Sequence, residues 1–177
     1  MKLRLWPVLT SVVLSSAVLF GGWFLYDSLA MENPLTKIVQ EQPGLEQFKV
    51  NVGNNSVTVE ITPKPDVNLR EIYKSITEQG RSIIGDRTVE LIVKDSSTPE
   101  LERWWSGALF DVAEAMESKR YAAIPAALEA KKGAFPGLEV TTEMDETYVY
   151  IRMTDGTNHK YMLLPRKPQK LGVRPNE

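Results

Sequence analysis

The chain has 177 residues, a formal net charge of -2 and 25% charged residues, so it has room for one domain and lacks the bulk basicity of a nucleic-acid binder. Cysteine is absent and His159 is the only histidine, which excludes disulfides, thiolate metal sites, iron–sulfur clusters, a cysteine nucleophile and any chemistry that needs paired histidines. The fold must rest on its core alone.

From Trp6 to Tyr26 there is no charged side chain, and at about 1.5 Å rise per residue this stretch matches a hydrocarbon core of about 30 Å. Trp6 stands at one end and Trp23 with Tyr26 at the other, the headgroup levels where amphipathic rings are favoured. Lys2 and Arg4 precede the segment, while the first basic residue after it is Lys37, so the positive-inside rule places residues 1–5 in the cytoplasm, 6–26 in the membrane and the rest outside. The competing reading is a signal peptide cleaved after Ser28-Leu29-Ala30, which would release the protein; the apolar run exceeds the 7–15 residues usual for such a segment.

Residues 27–47 are mixed in polarity and read as a stalk, with a short helix able to start at Asn33-Pro34 and stop at Pro43-Gly44. Phe48, Val50 and Val52, then Val57, Val59 and Ile61, alternate around the Gly53-Asn54-Asn55-Ser56 turn and predict a β-hairpin. Asn68 and Glu71 have capping-box spacing ahead of a helix with Leu69, Ile72, Tyr73, Ile76, Ile83 and Ile84 on one stripe, stopped by Gly85. Thr88 to Lys94 reads as a buried strand.

Ser97 and Glu100, with Pro99 between them, signal the start of a helix that reaches about Ser118. Its predicted core stripe is Leu101, Trp105, Ala108, Leu109, Val112 and Met116. A shorter helix around Pro125 ends at Lys131-Lys132-Gly133. Three alternating segments follow: Leu138 to Met144, Val149 to Met153, and a last one in which either Tyr161 and Leu163 or Met162 and Leu164 face inward. Turns at Asp145-Glu146 and Asp155-Gly156 make this an antiparallel meander. The exported domain then spans 48–164, and 165–177 forms a basic, proline-containing disordered tail. The expected fold is α+β: a two-layer sandwich with helices on one face of a mostly antiparallel sheet, in the order ββαβααβββ, preceded by one transmembrane helix.

Chemistry is not legible. Gly80 to Gly85 has the outer spacing of a P-loop, but Asp86-Arg87 stands where Lys and Ser/Thr are required, and the segment ends a helix instead of beginning one. No G-x-S-x-G, S-x-x-K or H-E-x-x-H motif occurs, so no catalytic residue, cofactor or metal ligand is assigned. A carboxylate pair acting on an envelope polymer stays open, since 23 acidic residues cannot exclude it. His159 reads as a solvated turn residue.

Two surfaces are candidates for a partner. Trp104 and Phe110 fall about 100° to one side and about 140° to the other of Trp105, so they are either covered by the helix around Pro125 or exposed as interface aromatics. Tyr148, Tyr150 and Arg152 share one face of the meander and either stack on sugar or peptide or support a second layer. The expected protein is therefore a non-enzymatic, single-pass membrane protein that touches lipid through its anchor and binds a protein or cell-wall component outside, not nucleic acid. A ligand-sensing module of a membrane complex is the further alternative, and the oligomeric state is not legible.

Overall fold

The computed structural model describes residues 5–27 and 33–167. Its elements are α1 (Leu5–Asp27), α2 (Asn33–Gln40), β1 (Leu45–Val52), β2 (Ser56–Pro63), α3 (Leu69–Gln79), α4 (Arg81–Ile84), β3 (Thr88–Val93), α5 (Pro99–Glu117), α6 (Ala123–Lys132), β4 (Glu139–Met144), β5 (Tyr148–Asp155) and β6 (Asn158–Pro165). The protein is α+β, as expected, but the strands form two three-stranded sheets, β1-β2-β3 and β4-β5-β6, where one was expected. The element order also departs from ββαβααβββ, because α2 precedes the first hairpin and the α3 line is broken into α3 and α4. Among the described residues no helix is long and apolar enough to cross a membrane; the side chains described on α1 are those of residues 9–22. The cleavage reading at Ala30 and the tail from 168 onward lie outside the described residues.

The chain divides into two compact units, one of residues 1–61 and 74–92, the other of 62–73 and 93–177. In the first unit, α2 folds part of the segment expected as a stalk: Leu35 and Val39, four residues apart on one face, are fully buried. β2 alternates strictly, with Val57, Val59 and Ile61 buried, and the N–H of Thr88 donates to the Asn55 carbonyl at 3.1 Å, setting the starts of β3 and β2 side by side. The helix line breaks at Gly80, where the backbone lies close against α2. A Cβ there would stand 2.6 Å from the Ile76 carbonyl oxygen and 2.7 Å from a Leu35 methyl, so only glycine allows this approach.

The second unit is built on the meander. β4, β5 and β6 pair antiparallel, Thr141 opposite Arg152 and Arg152 opposite Tyr161. Short turns at 145–147 and 156–157 make each strand its neighbour's nearest partner, so the meander closes on itself as a separate sheet. Both turns have their chemistry in place. Asp145 Oδ1 accepts from the N–H groups of Thr147 (2.7 Å) and Tyr148 (2.8 Å), and Gly156 takes the positive φ of 60° that the second turn needs. One face of the sheet, with Val149, Ile151 and Met153, forms a core with α5 and α6, to which Leu101, Trp105, Ala108, Val112, Ile124 and Leu128 contribute. Met162 and Leu164 pack against the same core, which settles the register of β6: Tyr161 faces the other way. Burying each such side chain contributes about 1.5–3 kcal/mol.

The cap of α5 lies one residue later than the Ser97 and Glu100 spacing suggested. Thr98 Oγ1 accepts from the Leu101 N–H at 3.3 Å, with Pro99 in the first turn, where its missing N–H costs nothing. Of the tail expected to be disordered from 165, residues 165–167 are described, and Arg166 is built into the second unit. Its N–H donates to the Thr147 carbonyl, its guanidinium donates to the Asp145 carbonyl, and its carbon lies 4.6 Å from the centre of the Tyr121 ring.

Candidate functional site

The second unit carries both candidate surfaces, and at each the structure separates the alternatives left open by the sequence. On α5 the two aromatics part company. Trp104 is only 9% exposed, and its Nε1–H donates to the Lys131 carbonyl at 3.1 Å, so the last turn of α6 covers it and satisfies its one polar atom. Phe110 is 79% exposed. The helical wheel explains the split: the two rings lie on opposite sides of Trp105, and α6 can cover only one side. Leu109, expected in the core stripe, is 39% exposed. It lines a groove of about 350 Å³ with Val112, Ala113 and Met116 of α5 and Leu164 and Pro165 at the end of β6, while Glu117, Arg166 and Lys167 supply charge.

On the meander, Tyr148 and Tyr150 are buried and form no open stacking platform. Tyr73, at the start of α3, meets Tyr148 edge-on at 5.1 Å between ring centres and Tyr150 at 6.5 Å. Tyr150 is 4% exposed and its hydroxyl donates to Asp145 Oδ2 at 2.6 Å. These rings serve as a second layer, the other of the two roles the sequence left open.

Burial pushes the Tyr73 phenol up to about 12, with the neighbouring Tyr148 adding to the effect. Tyr150 is raised as well, by burial first and then by its hydrogen bond to Asp145, and burial also raises Tyr161 although nearby Arg152 opposes it. In the unfolded chain these phenols lose their protons near 10.0, whereas the folded Tyr73 holds its own to about 12. Between those values the folded state binds more protons, so stability that is complete below pH 10 falls as pH rises toward 12. The urea midpoint of the second unit will therefore decline above about pH 10, and Tyr150→Phe will flatten the decline. A midpoint constant from about pH 8 to about pH 11.5 would contradict this.

Arg152 stands apart from the Tyr73, Tyr148 and Tyr150 cluster and neighbours Tyr161. It is half-buried on the central strand, its guanidinium donating to Thr141 Oγ1 at 3.4 Å. Beside it lies a cavity of about 120 Å³ whose walls include Asn68, Leu69, Thr141, Glu143, Arg152 and Tyr161. The Tyr161 hydroxyl fixes the roof: it lies 2.9, 3.0 and 3.2 Å from the carbonyl oxygens of Lys64, Pro65 and Val67, and so holds this segment to the sheet while donating one proton among them. Glu143 is paired with Arg70 at 3.7 Å.

His159, expected in water, is 6% exposed. It shares a hydrogen bond between Nδ1 and Ser96 Oγ (2.9 Å), its backbone N–H donates to the same oxygen (3.2 Å), and its ring meets Tyr161 edge-on at 5.4 Å. A serine beside a histidine is also the start of a hydrolytic dyad, but here the oxygen is held by the backbone. Nε2 is buried with no hydrogen-bond partner, so no carboxylate orients the ring as nucleophilic catalysis requires. The contact ties residues 95–97 to β6, as does the Tyr161 N–H donating to Asp95 Oδ2 at 2.9 Å. The clue in the sequence was period two: His159 and Tyr161 share one face of a strand whose other face is core.

Lys160 binds Glu102 at 2.7 Å and holds that carboxyl below its ordinary range. Among the described residues no group of three or more His, Asp or Glu side chains is placed to hold a metal ion. The chain matches no protein-family model, no curated protein and no solved structure.

Proposed function

We propose that this chain is a non-enzymatic, membrane-tethered binding protein: α1 lies in the bilayer with the N-terminus inside, and the second unit, outside, engages a protein or cell-wall component through the exposed part of α5. The observation that carries the reading is the apolar surface around α1. Leu9, Leu14, Val18 and Val12 are all exposed, and at about 100° per residue they point to about 0°, 140°, 180° and 300°, so no polar face is left for water. A helix apolar on every side is covered by a protein core or by lipid, and the uncharged run from Trp6 to Tyr26 has the length lipid requires. Phe110 and the groove beside it supply the partner surface, since an exposed aromatic next to an apolar groove is the composition of an interface centre.

A polymer hydrolase would need two carboxylates about 5–10 Å apart in a cleft. The two cavities described in the second unit each present one, Glu143 and Glu117, and so favour binding over hydrolysis. The test is cross-linking in native membranes with the wild-type chain and Phe110→Ser. The wild type will capture a stoichiometric partner, and the variant will lose that capture about tenfold or more. Its thermal midpoint will barely change, because a solvated side chain contributes within about 0.5 kcal/mol. Undiminished capture by the variant, or no stoichiometric partner for the wild type, sinks the proposal.

A further inference from the structure

The geometry points to the cavity beneath the start of α3 as a binding site for a small oxyanion, a carboxylate or phosphate group, held by Arg152. The inference goes beyond the binding reading above and concerns a separate site. Arg70, Arg103 and Arg120 each meet a glutamate within ion-pair distance, at 3.7, 2.9 and 2.7 Å; Arg152 has no such partner among the described residues. Its guanidinium has five N–H donors in a fork that matches the two oxygens of a carboxylate or phosphate. The Thr141 oxygen at 3.4 Å engages one of the five, at a long distance, and Tyr161 is a further neighbour. The central strand, paired on both sides at Arg152, fixes where the head can reach.

Size selects the ligand. About 120 Å³ is the share of roughly four water molecules and well short of the roughly 300–1,000 Å³ of a drug-sized pocket, so the cavity takes a terminal group instead of a whole cofactor. Charge selects it further. The one carboxylate on the wall, Glu143, is engaged at 3.7 Å by Arg70 from outside the lining, which leaves Arg152 as the one cation on the wall. An oxyanion entering there supplies the ion pair that Arg152 lacks, while Thr141 and Asn68 offer it hydrogen bonds.

The full chain, in neutral maltoside micelles and a chloride buffer, is titrated with inorganic phosphate and, separately, with acetate, and followed by NMR at the Arg152 Nε and the Leu69 and Arg70 amides. Saturable movement with either salt, absent with chloride at equal ionic strength, is expected; phosphate alone or acetate alone identifies the group. Arg152→Met, which keeps the aliphatic stem, will weaken the response at least about tenfold, and Arg152→Lys will weaken it less. No movement beyond that with chloride, or an affinity unchanged in both variants, overturns the site. Neither outcome alters membrane retention or capture through Phe110, so failure here removes the oxyanion site alone.

Discussion

Replacing Trp105 by alanine will lower the stability of the second unit by about 3–5 kcal/mol, the range for truncating a large core aromatic. The ring is 5% exposed and sits between α5 and the sheet, in one cluster with Leu101, Val112, Ile124, Leu128 and Ile151. No neighbouring segment is free to collapse into the space, because both hydrogen-bonded ladders of the meander fix the opposite wall. Set against a total of about 5–15 kcal/mol for a typical domain, the variant will stand near the edge of unfolding. Amide hydrogen exchange at Val149, Ile151 and Met153 reads this unit directly: its opening free energy will fall by the stated amount, while Phe110→Ala, five residues on, will leave it unchanged. A loss below about 1 kcal/mol for Trp105→Ala would mean that α5 does not pack on the sheet as described.

Gly80→Ala will destabilise the first unit by about 1–3 kcal/mol, toward the upper end. The backbone at Gly80 has φ -82° and ψ 0°, which alanine tolerates, so the cost is one of space. Two of the three nearest atoms, methyls of Leu35 and Ile84, can give way, but the Ile76 carbonyl at 2.6 Å is backbone and already accepts the Gly80 N–H at 2.9 Å. The added methyl must therefore push α2 outward or break that hydrogen bond. Exchange at the amides of Val57, Val59 and Ile61 measures the effect, and an unchanged value would show that α2 is not seated on Gly80.

Most elements were legible in the sequence because each is written in a local period: Val57, Val59 and Ile61 at two, Leu101, Trp105 and Ala108 at three to four, Gly and Asp at the turns. Partner choice was not legible, since it depends on residues far apart in the chain. Hence one sheet was expected where two exist, although the short hairpin loops at 145–147 and 156–157 already favoured a self-contained meander. The candidate site fared the same way. The helical wheel gave the angle between Trp104 and Phe110, but not that α6 would end with the Lys131 carbonyl over Trp104. Period two put Tyr148, Tyr150 and Arg152 on one face, yet only the 62–73 segment decides that the tyrosines are covered and that a cavity is left at Arg152. His159 was misplaced because its proximity to a turn outweighed its shared face with Tyr161.

Retention of the native protein under washing tests most directly whether its first helix holds it in a membrane with the rest of the chain outside, as proposed. Membranes from cells producing the full chain are washed with high salt and then with urea, and the protein is weighed by mass spectrometry; trypsin is added to intact cells in parallel. The account predicts that the chain stays in the membrane pellet with residues 1–30 still attached, and that trypsin reaches Lys94 and Arg103 from outside. Release into the wash, or a mature chain beginning at Met31, would contradict it.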